Sequence, residues 1–178
     1  GFGDSDTFTN IENVTGTDQD DQLTGSDGDN VIVAGSGDDS VLGGSGDDTI
    51  LGQAGDDYLV GGLGSDSLDG GEGIDEIDYS TDAAAGGEAG VTVDLSSGTA
   101  TDGFGDSDTL SNIENVTATA EADHLTGSDD ANIILGQAGD DVIAGRGGSD
   151  TIDGGAGIDE IDYSTDAAAG GEAGVTVD

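Results

Sequence analysis

Residues 34–78, cut every nine, read AGSGDDSVL, GGSGDDTIL, GQAGDDYLV, GGLGSDSLD and GGEGIDEID. Place four is always glycine: Gly37, Gly46, Gly55, Gly64 and Gly73. Place six is always aspartate: Asp39, Asp48, Asp57, Asp66 and Asp75. Place eight is always aliphatic: Val41, Ile50, Leu59, Leu68 and Ile77. One G-x-D would carry little weight. Five in unbroken register mark a repeat architecture, in which each unit buries its apolar residue only by stacking on its neighbours.

The nine places divide by chemistry. Six glycine-rich places can turn sharply, because glycine tolerates positive φ and lets carbonyls face inward. The last three places predict a short strand whose middle side chain points in and whose flanks point out. A turn of carbonyls closed by one aspartate offers half an oxygen shell, and a second stacked turn offers the rest. Calcium takes six to eight oxygens in a flexible shell and accepts carbonyls and carboxylates together.

Working outward, residues 16–24 and 25–33 are weaker copies of the unit, so the first run spans 16–78 in seven units. A second run of five covers 118–162, cut as 118–126, 127–135, 136–144, 145–153 and 154–162. The opening units depart from the pattern: place four is Gln19, Glu121 or Asp130, and place six is Asn30 or Asn132. They are expected to form partial or empty sites that begin each run.

These residues resemble the RTX (repeats-in-toxin, haemolysin-type) calcium-binding nonapeptide family. The resemblance implies an all-β fold, a parallel β-roll or β-solenoid with two units per coil, here as two tandem rolls with strand and hairpin caps. It also implies calcium held between turn n and turn n+2. Carried over place by place, the carboxylate ligands are Asp21, Asp39, Asp48, Asp57, Asp66, Asp75, Asp141, Asp150 and Asp159, with Asn30 and Asn132 at the weaker turns. The carbonyl ligands are Gly35, Gly44 and Gly62 at place two. At place four they are Gly37, Gly46, Gly55, Gly64, Gly73, Gly139, Gly148 and Gly157. Bridging turns n and n+2 allows roughly eight ions at most.

Between the runs the nine-residue register breaks. Residues 1–79 are expected as a cap strand with the first roll, 80–102 as a connector with a β-hairpin, 103–163 as a second cap strand and roll, and 164–178 as the start of another connector. Val91, Val93 and Leu95 alternate with Thr92 and Asp94, the pattern of a half-buried strand. Ser96, Ser97 and Gly98 turn the chain, and residues 99–101 can return beside it. Phe2, Phe8, Ile11 and Val14 in one half, and Phe104, Leu110, Ile113 and Val116 in the other, read as apolar caps over open solenoid ends.

Long internal repeats reinforce this division. GFGDSDTFTNIENV at 1–14 recurs as GFGDSDTLSNIENV at 103–116, an offset of 102 residues. GIDEIDYSTDAAAGGEAGVTVD at 73–94 recurs unchanged at 157–178, an offset of 84. The offsets differ by one coil of two units.

The charge is extreme. Forty-one acids face one base, Arg146, for a formal charge of −40. With 32% hydrophobic residues, such a chain without a cation reads as disordered. Carboxylates stacked about 5 Å apart repel, and a divalent cation both neutralises and cross-links them. The charge argues against nucleic acid or anionic lipid as partners. There is no cysteine, and no apolar run approaches membrane-spanning length. No leader is recognisable from Gly1, and the sequence reads as part of a longer chain.

Catalysis finds no footing. Acid pairs such as Asp38–Asp39 and Asp140–Asp141 sit in repeating environments, whereas acid–base work needs two carboxylates in different ones. His124 falls on an outward place seven, Arg146 is expected merely to pair with an acid, and Tyr58, Tyr79 and Tyr163 are expected to pack at strand and roll edges. Place seven runs Gln22, Val31, Ser40, Thr49, Tyr58, Ser67, Glu76, which is no ladder for ice or polysaccharide.

The functional expectation that the resemblance implies is a non-enzymatic, calcium-dependent extender of a secreted or surface-anchored bacterial protein. It would be threaded unfolded through a type I secretion channel and fold outside the cell. An adhesin stalk, filament or surface layer is favoured, with calcium ions and further copies of the module as partners. The other reading is an accessory domain of a secreted enzyme or toxin.

Overall fold

The computed structural model describes residues 11–82, 86–87 and 89–164. Phe2 and Phe8, residues 83–85 and 88 of the small-residue stretch, and 165–178 lie outside them.

Every repeat contributes one strand, and strands two units apart pair in parallel. β1 (Asn13–Thr15), β2 (Gln22–Thr24), β3 (Val31–Ser36), β4 (Ser40–Ser45), β5 (Thr49–Ala54), β6 (Tyr58–Leu63), β7 (Ser67–Glu72) and β8 (Glu76–Asp78) precede the connector. β9 (Thr92–Asp94) and β10 (Thr99–Thr101) lie within it. β11 (Ser107–Ser111), β12 (Asn115–Thr117), β13 (His124–Thr126), β14 (Ile133–Leu135), β15 (Val142–Ala144), β16 (Thr151–Asp153) and β17 (Glu160–Ile161) follow. Alternate units go to opposite sheets, one ordered β1-β3-β5-β7-β11-β10-β9-β13-β15-β17, the other β16-β14-β12-β8-β6-β4-β2. The register is 18 residues per coil, as in Ile32↔Ile50↔Leu68 and Val41↔Leu59↔Ile77. This is a parallel β-solenoid.

The place-eight side chains fill the space between the sheets. Ile32, Val41, Ile50, Leu59, Leu68 and Ile77 in the first run, and Leu125, Ile134 and Ile143 in the second, are buried in one cluster. Each core layer is one residue deep, so burial alone is thin for a chain of this charge.

The two runs share both sheets. β12 lies directly between β8 and β14, with Val116 opposite Ile77 and Ile134. On the other side β11 adds to β7 in parallel, the β9–β10 hairpin follows antiparallel, and β9 receives β13 in parallel. Asp94 Oδ1 accepts the Ser96 and Ser97 amides at 2.9 and 3.2 Å to close the hairpin turn. Leu110, Ile113 and Val116, read from sequence as a cap, lie in the same core as the place-eight residues on either side. They splice one run to the next.

Candidate metal centre

The place-six aspartates form two columns, one along each edge of the roll. In the first run one oxygen of each accepts the backbone N–H of the place-six residue one coil earlier. Asp39, Asp48, Asp57, Asp66 and Asp75 take the amides of Asp21, Asn30, Asp39, Asp48 and Asp57, each at 2.7–2.8 Å. The second run repeats this with Asp141, Asp150 and Asp159 on Asp123, Asn132 and Asp141. The other oxygen, Oδ2, is different. In Asp39, Asp48, Asp57, Asp66, Asp75 and Asp141 it is buried and has no hydrogen-bond partner. A buried acceptor left unpaired is costly, and a buried carboxylate far more so.

Two of those unpaired oxygens approach the same glycine position as a carbonyl of the next coil. An ideal Cβ built on Gly43 would lie 2.5 Å from Asp48 Oδ2 and 2.5 Å from the Gly61 carbonyl of the next coil. The same point on Gly136 lies 2.5 Å from Asp141 Oδ2 and 2.7 Å from the Gly154 carbonyl. The Gly44 and Gly46 carbonyls face the place-two and place-four glycines one coil on, Gly62 and Gly64. Gly44 itself has φ +118, a conformation that other residues avoid. Stacked turns thus place a carboxylate oxygen with no proton to accept near a backbone carbonyl of the next coil. Among the described residues no three acidic or histidine side chains gather closely enough to hold a metal by side chains alone. A hard cation that takes backbone carbonyls fits this donor set, and a thiolate- or imidazole-seeking metal does not.

The turns that open each run close differently. Place two is Thr17, Ser26, Thr119 or Ser128. Thr17 donates its amide at 2.6 Å and its hydroxyl at 3.0 Å to Asp21 Oδ2. Thr119 donates its amide to Asp123 Oδ2 at 3.0 Å and its hydroxyl to Oδ1 at 2.8 Å. The Ser26 and Ser128 amides reach Asn30 and Asn132 Oδ1 at 2.5 and 2.7 Å. Here the turn's own protons satisfy the place-six oxygen.

Burial raises the interior carboxyls. Asp48 and Asp75 are pushed up to about 6, chiefly by burial and further by neighbouring acids. Burial carries Asp66 to about 7, with added repulsion from Asp108, Asp48 and Asp102. Asp39, Asp57 and Asp141 move the same way for the same first cause. At the splice, burial likewise lifts Asp82 and Asp108 to about 6. Among the described residues Arg146 pairs with Asp129, at 3.4 Å, away from these buried carboxyls.

Of the residues singled out from sequence, Asn30, Asp39, Asp48, Asp57, Asp66, Asp75, Asn132 and Asp141 are buried in the turn columns. Asp21 and Asp150 are half-buried, and Asp159 at the far end is exposed. Gly35, Gly37, Gly44, Gly46, Gly55, Gly62, Gly64, Gly73, Gly139, Gly148 and Gly157 all have positive φ. His124 is exposed, Tyr58 bonds Asp78, and buried Tyr79 donates to Asp108 Oδ2 at 3.0 Å.

Sequence reasoning passed over three further column members. Asp108 Oδ1 accepts the Asp66 amide at 2.9 Å, and Glu114 Oε2 accepts the Asp75 amide at 2.9 Å, so both act as place-six residues of the splice. Asp123 is the third, buried below Asp141. The signal for Asp108 and Glu114 is the acid two residues before an aliphatic, in Asp108–Leu110 and Glu114–Val116. The intervals around them are not nine.

A family model described as RTX calcium-binding nonapeptide repeat (4 copies) matches residues 6–41, 15–50, 42–77, 108–140 and 126–161. The matches together span more than half of the chain. No curated protein sequence matches it.

Proposed function

The chain belongs to the RTX calcium-binding nonapeptide repeat family, and from that premise we propose that it is a calcium-folded extender segment of a secreted bacterial protein. RTX repeats bind calcium, with several ions along a roll, and are typical of proteins exported by type I secretion. The β-roll is a structural calcium-binding module.

The proposed ligands are the place-six carboxylates of the interior turns with the place-one, place-two and place-four carbonyls that face them. The observation that carries this assignment is the row of buried Oδ2 atoms without a donor. Bound calcium supplies the positive charge that those oxygens lack and ties successive coils together. The residues do the rest: glycines admit the close approach, Asp Oδ1 orders the next turn through its amide, and place-eight side chains exclude water. Extracellular calcium modules bind at about 10⁻⁴–10⁻³ M. At calcium 100-fold above its dissociation constant, each site contributes about 2.7 kcal/mol. Where calcium is scarce the chain stays unfolded and fit for threading; outside it stiffens.

The same module could serve an adhesin stalk, a filament or a secreted enzyme. Near-identical runs sharing continuous sheets support the extender reading. Calcium titration followed by circular dichroism and calorimetry tests the proposal, with magnesium as control. The expected result is cooperative β-structure with calcium alone, and a lower ion count with Asp57→Asn. Full β-structure in excess chelator at neutral pH would overturn it.

A further inference from the structure

The strongest unexplained feature is that identical sequence is buried in the middle of the described residues and exposed at either end of them. Residues 73–82 equal 157–166, and 112–116 equal 10–14. At the splice Ile77 is 0% exposed, Tyr79 3% and Ile113 7%. Their counterparts Ile161, Tyr163 and Ile11 are 37%, 39% and 46% exposed. Apolar side chains left uncovered beside an unpaired strand edge are a template for association.

The internal splice shows what covers them. β8 and β12 pair in parallel through Glu76↔Asn115, Ile77↔Val116 and Asp78↔Thr117. Tyr79 N–H donates to the Thr117 carbonyl at 2.9 Å, Asp75 N–H to Glu114 Oε2 at 2.9 Å, and Thr117 Oγ1 to Glu76 Oε1 at 2.7 Å. Every one of these residues has its twin at an end: Asp159, Glu160, Ile161, Asp162 and Tyr163 on one side, and Glu12, Asn13, Val14 and Thr15 on the other.

The topology closes as well. β17, the twin of β8, and β1, the twin of β12, are the two outermost strands of the ten-stranded sheet. β16, the twin of β7, and β2, the twin of β13, are the two outermost strands of the seven-stranded sheet. A second copy placed end to end therefore meets like with like where β17 faces β1, as β8 faces β12 inside; in the other sheet the twins β7 and β13 are bridged by β11, β10 and β9.

Resting on the calcium-folded roll proposed above, we propose that the two ends are complementary halves of one joint, and that the partner is a second copy of this module. β17 of one copy pairs in parallel with β1 of the next, in the register Glu160↔Asn13, Ile161↔Val14, Asp162↔Thr15. Tyr163 and Ile11 cover the seam as Tyr79 and Ile113 do inside. The contact is head to tail, so it propagates as an open rod. Residues 95–102 occur once in the sequence, so between separate copies the direct β17–β1 pairing carries the joint. Like-charged ends make the joint dependent on calcium.

Sedimentation velocity of the chain in saturating calcium, over rising protein concentration, tests this. The weight-average mass should rise about two-fold or more and return to monomer in chelator. Ile11→Asp and Tyr163→Asp lie on exposed positions and should each stop growth while circular dichroism in calcium is unchanged. Mixed in equal amounts, the two variants each retain one intact end and should form a dimer and nothing longer. A chain that calcium folds but that stays monomeric at every concentration overturns the joint and leaves the calcium-folded roll standing, as does continued growth of either variant. A chain that calcium fails to fold overturns both.

Discussion

The interior turns of the first run and the turns that open each run share a period and a strand, yet they satisfy the same place-six side chain in opposite ways. In the opening turns a place-two threonine or serine donates a proton to it. In the interior turns place two is glycine, or Gln53 with φ 85, and a buried oxygen is left without a donor. The first kind is complete with the chain's own atoms. The second leaves a buried carboxylate oxygen to which the proposed calcium would supply the missing partner. The place-two amide, joined by the hydroxyl at Thr17 and Thr119, thus separates a self-closing turn from one that leaves its oxygen unpaired.

The contrast breaks most easily under chelation. Amide exchange at Thr49, Tyr58 and Ser67, whose amides bond across coils, should accelerate by orders of magnitude as calcium is lowered from saturation to the edge of unfolding, because each lost site removes about 2.7 kcal/mol. Amides of Thr119 and Ser128, bonded within their own turns, should lose less protection. Equal losses would erase the distinction.

Acid sharpens it from the other side. Burial holds Asp48 and Asp75 at about 6 and Asp66 at about 7, above the ordinary 3.8. The folded chain then keeps protons that the unfolded chain releases. Stability without calcium is therefore fully present below the unfolded value and lost as pH rises through about 6–7. In chelator the β-structure read by circular dichroism should be greater near pH 4 than near pH 8, where the chain is unfolded. In calcium the order should reverse, because protons compete for the carboxylates.

Two alanine substitutions compare the turns directly. Gly44 sits at φ +118 with the Ser26 carbonyl where a Cβ would go, so Gly44→Ala should cost about 2–3 kcal/mol in calcium melts. Gly28, at the same roll edge in an opening turn, has nothing within 4 Å of its ideal Cβ. Gly28→Ala should be neutral or stabilise by about 0.4–1 kcal/mol. A comparably small effect is expected from Thr119→Val, which removes the hydroxyl bond to Asp123 and should cost about 1 kcal/mol in calcium melts, with the calcium midpoint of folding shifted only by that amount.

Much of this was legible in advance. The period alone places Ile50, Leu59 and Leu68 in the core and Asp48, Asp57 and Asp66 in the turn columns, because a strict repeat leaves each unit one geometry. The splice was less so. Leu110 and Val116 occupy successive core positions only six residues apart, and Glu114 reaches with a longer side chain where aspartate usually stands. A search at nine-residue spacing misses both. The protons that Thr17 and Thr119 donate were visible as a residue type at place two, but their role depends on the fold of the turn, which composition does not disclose. Strand length was also hidden. First-run strands extend over six residues where successive coils pair through place three, whereas second-run repeat strands stop at three or fewer.

Because successive units alternate between opposite walls, lengthening or shortening is constrained by parity. Removing one nonapeptide from either run would deliver every later strand to the wrong wall and misalign the splice. Removing two restores the match. Seven units and five differ by two, so descendants of this gene should vary in length by whole coils, and odd numbers of lost units should be purged by selection.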